Sequence, residues 1–173
     1  MSSASESSAA RKHTYSKRTQ ARMLAMQALC LFDSLGDAFN AQLEHFLADR
    51  VVQHDLPLAE PPPPESQRLA RELARGAWRD RPRLDAWITR ATPEWALDRL
   101  SPVDRNILRL GAYELYESVD TPPEVVIDDA VELAKLFGNT DSPGFVNVRL
   151  DALRRELGVG RRGFGDSDQP RQV

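Results

Sequence analysis

The side chains best suited to chemistry in this sequence are cationic and lie near its start. Residues 1–22 carry five basic side chains against one acidic side chain, Glu6, which gives a local charge of +4 on a chain of net charge -3. The basic residues are Arg11, Lys12, Lys17, Arg18 and Arg22. If a helix extends back through Arg11, then Tyr15, Arg18 and Arg22 share its face. Such a face can bind RNA phosphates while the tyrosine stacks on a base, and the alternative is a solvated arm without a partner.

The histidines do not form a pattern that indicates catalysis or metal binding. His13, His45 and His54 are not separated by the three or four residues that a metal pair on a helix requires. The sequence also contains no glycine-rich phosphate loop, no cysteine cluster and no GxSxG turn. We therefore predict that the protein is not an enzyme, and that it uses no metal and no cofactor.

Three carboxylates and one thiol have ordinary structural explanations. Asp128, Asp129 and Glu132 lie in the first turns of a predicted helix, where negative charge is favoured by the helix dipole. Cys30, the only cysteine, lies between two leucines and is typical of a small core residue. Because one cysteine cannot form an internal disulfide, it suits a reducing cytoplasm.

The composition, 41% hydrophobic and 28% charged, is that of an ordinary globular protein. No run approaches the roughly 18 apolar residues of a membrane span, and the start lacks the apolar segment of a signal peptide. We therefore expect a cytoplasmic protein. Its net charge of -3 means that any nucleic-acid contact must come from a local basic patch.

Helical spacing of apolar residues, without alternating strand runs, predicts an all-α fold of about six helices. The first helix is expected over 16–34, and a second after Asp37 as its N-cap. A third is expected to begin near Glu65 and to be kinked or split by Pro82, because proline removes a backbone donor and clashes with the preceding turn.

Three later helices share one start signal, a hydroxyl followed by proline at the first helical position. Ser101 with Asp104, and Thr121 with Glu124, have the outline of capping boxes, in which the carboxylate returns to the backbone of the cap. Ser142 repeats the start without a returning carboxylate.

The predicted helices, joined by short connections, make two packed helical subdomains of about three helices each, and stretches with few apolar residues are predicted to be disordered or linking. The predicted segments are a disordered basic arm (1–15), an N-terminal subdomain (16–92) with a surface proline linker (60–64), a C-terminal subdomain (93–158) and a disordered tail (159–173).

Three blocks of the sequence carry a resemblance to a known family. Residues 21–29, ARMLAMQAL, resemble the ARxxAxQALY opening of NusB transcription antitermination proteins. Residues 95–115, WALDRLSPVDRNILRLGAYEL, look like the middle block of that family. Residues 120–151 are similar to its DxPxxVxINEAxELAKxFGxxxSxxFVNGxLD motif.

The resemblance implies a two-subdomain helical fold that binds the boxA element of nascent ribosomal RNA. It also implies a partner, the small-subunit ribosomal protein that acts as the transcription factor NusE. Together with other Nus factors they would associate with RNA polymerase, prevent premature termination and support ribosomal RNA maturation. None of these roles is catalytic.

Carried over to this sequence, the RNA-binding arm falls on Arg18 and Arg22, with Lys17, Arg11 and Lys12 upstream. Thr19 and Gln20 stand where arginines are common in the family, which weakens the expected affinity. A region near RNA in the family matches Asp141, Ser142 and Phe145. The alternative for that region is that Ser142 is only a cap and Phe145 only a core residue.

The NusE-binding surface implied by the resemblance includes Asp104, although the capping box competes for the same carboxylate. Cys30 replaces a tyrosine that is frequent in the family, which removes one polar contact from that surface. Asn147 either satisfies buried backbone groups or contacts a ligand. Val148 and Arg149 replace a usual Gly-Val pair, which implies altered helix packing there.

Two other interpretations of the sequence remain. A similar fold occurs as the N-terminal domain of some RNA cytosine methyltransferases, but this chain has no room for a cofactor-binding domain after its last helix, which excludes an enzyme unless the chain is a fragment. The second is a helical module that binds only proteins. The salt dependence of binding distinguishes such a module from an RNA-binding protein, because RNA binding through phosphates weakens steeply as the salt concentration rises.

Overall fold

The computed structural model describes residues 13–159, and within that range it contains eight α-helices and no β-strand. The helices are α1 (Lys17–Leu35), α2 (Leu43–Ala48), α3 (Arg50–His54), α4 (Pro64–Arg79), α5 (Arg81–Ala91), α6 (Pro102–Glu117), α7 (Pro123–Phe137) and α8 (Ser142–Leu157). Two short 3-10 turns, Gly36–Ala41 and Leu97–Arg99, join some of them. The predicted all-α fold is confirmed. The arm residues 1–12 and the tail residues 160–173, both predicted to be disordered, lie outside the described residues.

Helix α1 is central, because residues on all of its sides are buried, and it contacts both α4 and α6. It runs parallel to α4. At one end of the pair, the Ser66 hydroxyl donates a hydrogen bond to the Lys17 carbonyl at 3.0 Å. At the other end, Phe32 stacks on Trp78 with ring centroids 5.0 Å apart. The start of α1 therefore lies beside the start of α4.

The segment after α1 differs from the predicted second helix. Asp37 is not an N-cap, because it lies inside the first 3-10 turn and accepts a hydrogen bond from the Trp78 indole nitrogen at 2.7 Å. The helical stretch is divided into α2 and α3, and Asp49 caps α3 by accepting from the backbone N–H of Val51. This division places short helices where the sequence predicted one longer element.

The predicted break at Pro82 is confirmed. Helix α4 ends at Arg79, α5 begins at Arg81, and Pro82 lies in the first turn of α5. Proline is well tolerated there because the first N–H groups of a helix have no intrahelical acceptor. The chain therefore turns at Asp80, whose backbone N–H still closes the last turn of α4 on the Gly76 carbonyl at 3.0 Å.

The proline run is less exposed than predicted. Pro61 is exposed, but Pro62 is buried and its carbonyl accepts a hydrogen bond from the Gln67 side chain at 3.1 Å. Pro64 is the first residue of α4. The run is therefore the packed entry to a helix, and only part of it is a surface linker.

Of the three predicted hydroxyl caps, one forms. The Ser101 hydroxyl accepts the backbone N–H of Asp104 at 3.1 Å, as predicted. The predicted cap at Thr121 is wrong, because Pro122 precedes α7 and the Thr121 hydroxyl accepts a hydrogen bond from Arg18 instead. Ser142 is the first residue of α8 and does not cap it.

Helices α6, α7 and α8 pack on one another beside α1. The contact between α6 and α8 is close at Gly111, where an added Cβ would meet the Leu150 Cδ1 atom at 2.7 Å. Among the helices within residues 13–159, none combines the length and the apolar character needed to cross a membrane.

Candidate nucleic-acid interface

The first turn of α1 presents two exposed cations, Lys17 and Arg18, at the surface. Ser16 starts the helix there, because its hydroxyl accepts the backbone N–H of Thr19 at 3.1 Å. Arg18 Nη2 donates to the Thr121 hydroxyl at 2.8 Å, which ties the start of α1 to the loop before α7. Lys17 Nζ lies 2.7 Å from the Glu65 carboxylate. We refer to Lys17 and Arg18 as the α1 cationic end.

The two cations differ in how much of their charge is neutralised. Thr121 is uncharged, and within residues 13–159 no carboxylate pairs with Arg18, so a phosphate need not displace one there. The hydrogen bond from Lys17 lowers the pKa of Glu65, yet both side chains are more than half exposed. Exposed pairs of this kind are weak, so a phosphate can compete for the lysine.

Arg22, expected beside Arg18 on an exposed face, is instead buried, with 3% of its surface exposed. Its Nε donates to Glu114 at 2.8 Å and its Nη2 at 2.6 Å, while its Nη1 contacts Asp129. Burial alone would lower the pKa of Arg22, but hydrogen bonds and the charges of Glu114 and Asp129 raise it. The guanidinium therefore joins α1, α6 and α7, and its placement contradicts the expected direct contact with RNA phosphates.

The position of Arg22 follows from helical phase. Arg22 is four residues before Met26 and seven before Leu29, and both of those side chains are buried. Arg18 is one turn earlier, where α1 reaches the surface at Thr121. The sequence contained this signal, since Arg22 lies in phase with apolar residues.

The expected helical stripe through Tyr15 does not form, because α1 begins at Lys17. Tyr15 is partly buried and its hydroxyl donates to Glu132 at 3.5 Å. Burial, followed by the charge of Glu132, raises the pKa of Tyr15. Arg11 and Lys12, the other expected cations of the arm, lie outside the described residues.

The carboxylates of α7 have roles beyond the helix dipole. Asp128 is exposed, as expected for a residue in the first turns of a surface helix. Asp129, in contrast, accepts from Arg22 and also from the Thr19 hydroxyl at 3.4 Å. The part of Asp129 in anchoring α1 was not predicted, because Thr19 and Arg22 are more than 100 residues away in sequence.

The residues predicted near RNA in the C-terminal block lie at the start of α8. Asp141 is exposed and immediately precedes the helix. Phe145 is half-buried, packs edge-on against Trp95 with ring centroids 5.9 Å apart, and lies under the Arg149 guanidinium at 5.2 Å. Ser142 is buried and accepts a backbone N–H from Asn139. Neither Asp141 nor Phe145 contacts the α1 cationic end. Their role in RNA binding stays a prediction.

The expected repacking at positions 148 and 149 is not observed. Val148 is 57% exposed, so its side chain does not lie between helices. Arg149 covers the Phe145 ring and forms an ion pair with Glu94. Asn147 is exposed, which is incompatible with a role in satisfying buried backbone groups.

Asp104 lies at the start of α6 and is 8% exposed. Its backbone N–H is capped by Ser101, but its carboxylate does not complete the capping box, and its Oδ1 atom has no hydrogen-bond partner within residues 13–159. Cys30 of α1 lies next to the same helix start, with its thiol 3.6 Å from the Pro102 carbonyl. Burial raises the pKa of this thiol. Asp104 and Cys30 therefore lie at the same helix start, and we call this region the α6-start surface.

A second ion network, centred on the buried Arg109, was not predicted from the sequence. Asp33 of α1 accepts from Arg109 at 2.8 Å and from Arg105 at 2.9 Å, and Arg109 also binds Asp85 of α5. The two arginines lie four residues apart on α6, a spacing that puts them on one face. No local pattern could have indicated their acidic partners on α1 and α5.

Comparisons with known proteins agree with this architecture. The family model described as the NusB family matches residues 19–155. A transcription antitermination protein NusB from Anaeromyxobacter dehalogenans is 38% identical over 148 residues, which cover 86% of this chain and 97% of the relative. One from Symbiobacterium thermophilum is 37% identical over 154 residues, which cover 88% of this chain and 95% of the relative.

Solved structures of NusB proteins are also similar to this chain. The T. maritima NusB structure has a TM-score of 0.64 and 33% identity, and the match covers 83% of this chain and 94% of that one. A chain from the crystal structure of antitermination factors NusB and NusE in complex with dsRNA has a TM-score of 0.68 and 26% identity, with coverage of 81% and 97%.

Proposed function

The chain belongs to the NusB family, and from this premise we propose that it is a transcription antitermination factor that binds boxA RNA of nascent ribosomal RNA together with NusE. As a member of that family it is a non-catalytic factor. A structurally similar chain comes from a complex of NusB, NusE and RNA, which supports both partners for this protein. In this role it acts in the cytoplasm, within the RNA polymerase antitermination complex.

The observation that carries the RNA half of the proposal is the α1 cationic end. Arg18 is exposed, and its guanidinium is oriented by a neutral hydroxyl. Arginine in such a position binds phosphate oxygens through several N–H donors at once. Lys17 beside it adds a second cation, and we expect the preceding arm with Arg11 and Lys12 to extend the same contact.

The NusE half is supported by the α6-start surface. Asp104 keeps 8% of its surface exposed, and a basic side chain from another protein can pair with its carboxylate there. Asp104 is therefore the residue that we assign to NusE. Cys30 beside it offers apolar contact where a tyrosine would offer a hydroxyl.

Two further assignments complete the proposal. Asp141 and Phe145 at the start of α8 form a second RNA contact, in which the Phe145 ring can lie against an unpaired base. The chain is divided into an N-terminal subdomain over 16–92 and a C-terminal subdomain over 93–158. The buried Arg22 network joins the two, since Glu114 and Asp129 lie in the second.

A titration of the purified full chain with boxA RNA and with an RNA of the same composition in shuffled order tests this function. We expect tighter binding to boxA, and a further gain when NusE is added. Equal affinity for both RNAs, with or without NusE, would exclude the boxA assignment. Binding to NusE with no RNA binding would indicate a protein-only interaction module.

A further inference from the structure

Helix α4 carries a row of arginines that the RNA site described above does not use. They recur at steps of three and four along the helix: Arg68, Arg71, Arg75 and Arg79. Residues of the opposite face, among them Ala70, Ala74 and Ala77, are buried. The α4 arginine row therefore faces away from the core. Two carboxylates of α4, Glu65 and Glu72, lie on the same side of the helix as Arg68, so four arginines against two glutamates leave the helix with a local charge of +2.

The arginines of the row are only partly neutralised. Arg71 and Arg75 share one carboxylate, Glu44, and the Arg75 contact is long, at 3.4 Å. Arg79 pairs with Asp80 at 2.9 Å, but 71% of its side chain is exposed. Exposed pairs contribute little and are easily exchanged, so these guanidinium groups can bind another anion.

The row is continuous with the α1 cationic end. Because α1 and α4 run parallel, Arg68 at the start of the row lines the same shallow hollow as Lys17 and Arg18. From there the row extends 11 residues to Arg79, a rise of about 16 Å. One strand of a stacked nucleic acid carries a phosphate roughly every 3.4 Å, so the row matches about five nucleotides.

We propose that the α4 arginine row binds the phosphates of single-stranded RNA that flanks boxA, and so extends the RNA path from the α1 cationic end along α4. The inference rests on the proposed function, since it takes boxA to be bound at α1. No large apolar side chain of α4 is exposed, which suits a phosphate backbone better than a protein interface with a dry core.

The test compares two RNAs, minimal boxA and boxA with about eight extra nucleotides on each side, enough to cover the row. The variant is Arg68→Ala with Arg75→Ala, because alanine preserves the helix and Glu44 retains Arg71. The matched control is Arg90→Ala with Arg99→Ala, two exposed arginines outside α1 and α4. A third variant, Arg68→Lys with Arg75→Lys, keeps the charge.

We expect wild type to bind the long RNA more tightly than minimal boxA. The alanine variant should lose that gain, roughly tenfold at 0.1 M salt, and the slope of log affinity against log salt should fall by about 1.4. Binding to minimal boxA should be unchanged, and the control and lysine variants should resemble wild type.

Three results would overturn the inference: no gain from the flanks in wild type, a gain that survives in the alanine variant, or an equal loss of affinity for both RNAs. The first result would indicate that the α4 arginine row binds an acidic protein instead of RNA. Failure of wild type to bind minimal boxA would be a different outcome, because it rejects the proposed function itself.

Discussion

The Arg22 guanidinium and the Glu114 carboxylate form a buried pair, with nitrogen–oxygen distances of 2.6 Å and 2.8 Å. The two residues lie 92 positions apart in sequence, on α1 and α6. Their side chains are 4% and 3% exposed, so water does not screen the pair. The pair fixes the position of α1, and with it the orientation of the α1 cationic end.

Loss of one partner of this pair should destabilise the fold. We expect Arg22→Ala to reduce the free energy of unfolding by about 3–5 kcal/mol, because Glu114 is left as a buried charge without its main partner. Arg18→Ala, at an exposed site on the same helix, should cost less than about 1 kcal/mol. Chemical denaturation measures both. Similar small losses for the two variants would show that Arg22 is not the anchor.

Acid stability should depend on Asp33. Burial alone would raise the pKa of Asp33, but hydrogen bonds from Arg109 and Arg105 lower it below its ordinary value. Because the unfolded chain has a pKa of about 3.9, this stabilisation is complete well above that pH and is lost as the pH falls through the lower folded pKa. Asp33→Asn should therefore reduce stability at neutral pH and flatten its decline below about pH 4.

Thermal unfolding followed from neutral pH to about pH 2.5 measures this dependence. The matched control is Asp128→Asn, which changes an exposed carboxylate, and it should keep the acid profile of wild type. A profile for Asp33→Asn that parallels wild type at every pH would exclude Asp33 as a source of the acid dependence.

Substitution of Asp104 should weaken binding to NusE without affecting binding to RNA. Asp104→Asn keeps the backbone N–H that Ser101 caps, so we expect stability close to that of wild type. Affinity for NusE should fall by at least about thirtyfold, or about 2 kcal/mol, because a charged hydrogen bond across the interface is lost. Binding of the chain alone to boxA RNA should be unchanged.

Isothermal calorimetry with NusE provides the measurement, and Asp55→Asn, at an exposed position after α3, is its control. If Asp104→Asn binds NusE as wild type does, the α6-start surface is not the NusE site.

A close contact between α4 and α6 requires glycine at position 76. An added Cβ would lie 2.1 Å from the Tyr113 hydroxyl oxygen, so the tyrosine must move. We expect Gly76→Ala to destabilise the protein by about 1–3 kcal/mol. Gly144→Ala, where a Cβ has open space within α8, should be neutral or stabilising by up to about 1 kcal/mol. A gain in stability for Gly76→Ala would contradict the packing described here.

Local chemistry predicted much of the fold. The Ser101 cap and the break at Pro82 each depend on a few neighbouring residues, and both form as expected. Thr121 carried the same cap signal as Ser101, but its hydroxyl accepts from Arg18, 103 residues away. A local signal cannot reveal such a distant competitor, because the partner is chosen by tertiary packing.

The candidate site was less predictable for the same reason. Arg18 and Arg22 have the same residue type and a spacing that suggests a common function. Only the fold distinguishes them, since α6 and α7 supply carboxylates at Arg22, whereas the loop before α7 supplies a neutral hydroxyl at Arg18. The apolar residues in phase with Arg22 indicated burial, but no sequence feature identified Glu114 as its partner.

The α1 cationic end is tested most directly by the salt dependence of boxA binding. In Lys17→Ala with Arg18→Ala, two phosphate contacts are removed, while the buried Arg22 network stays intact. The slope of log affinity against log salt should therefore fall by about 1.4 for single-stranded RNA, with a matching loss of affinity at low salt. The thermal transition of the variant should first be compared with that of wild type. Arg90→Ala with Arg99→Ala, which removes the same charge elsewhere, should keep the wild-type slope. If the folded Lys17 and Arg18 variant retains both the affinity and the slope of wild type, these residues do not bind the RNA and the proposed interface is wrong.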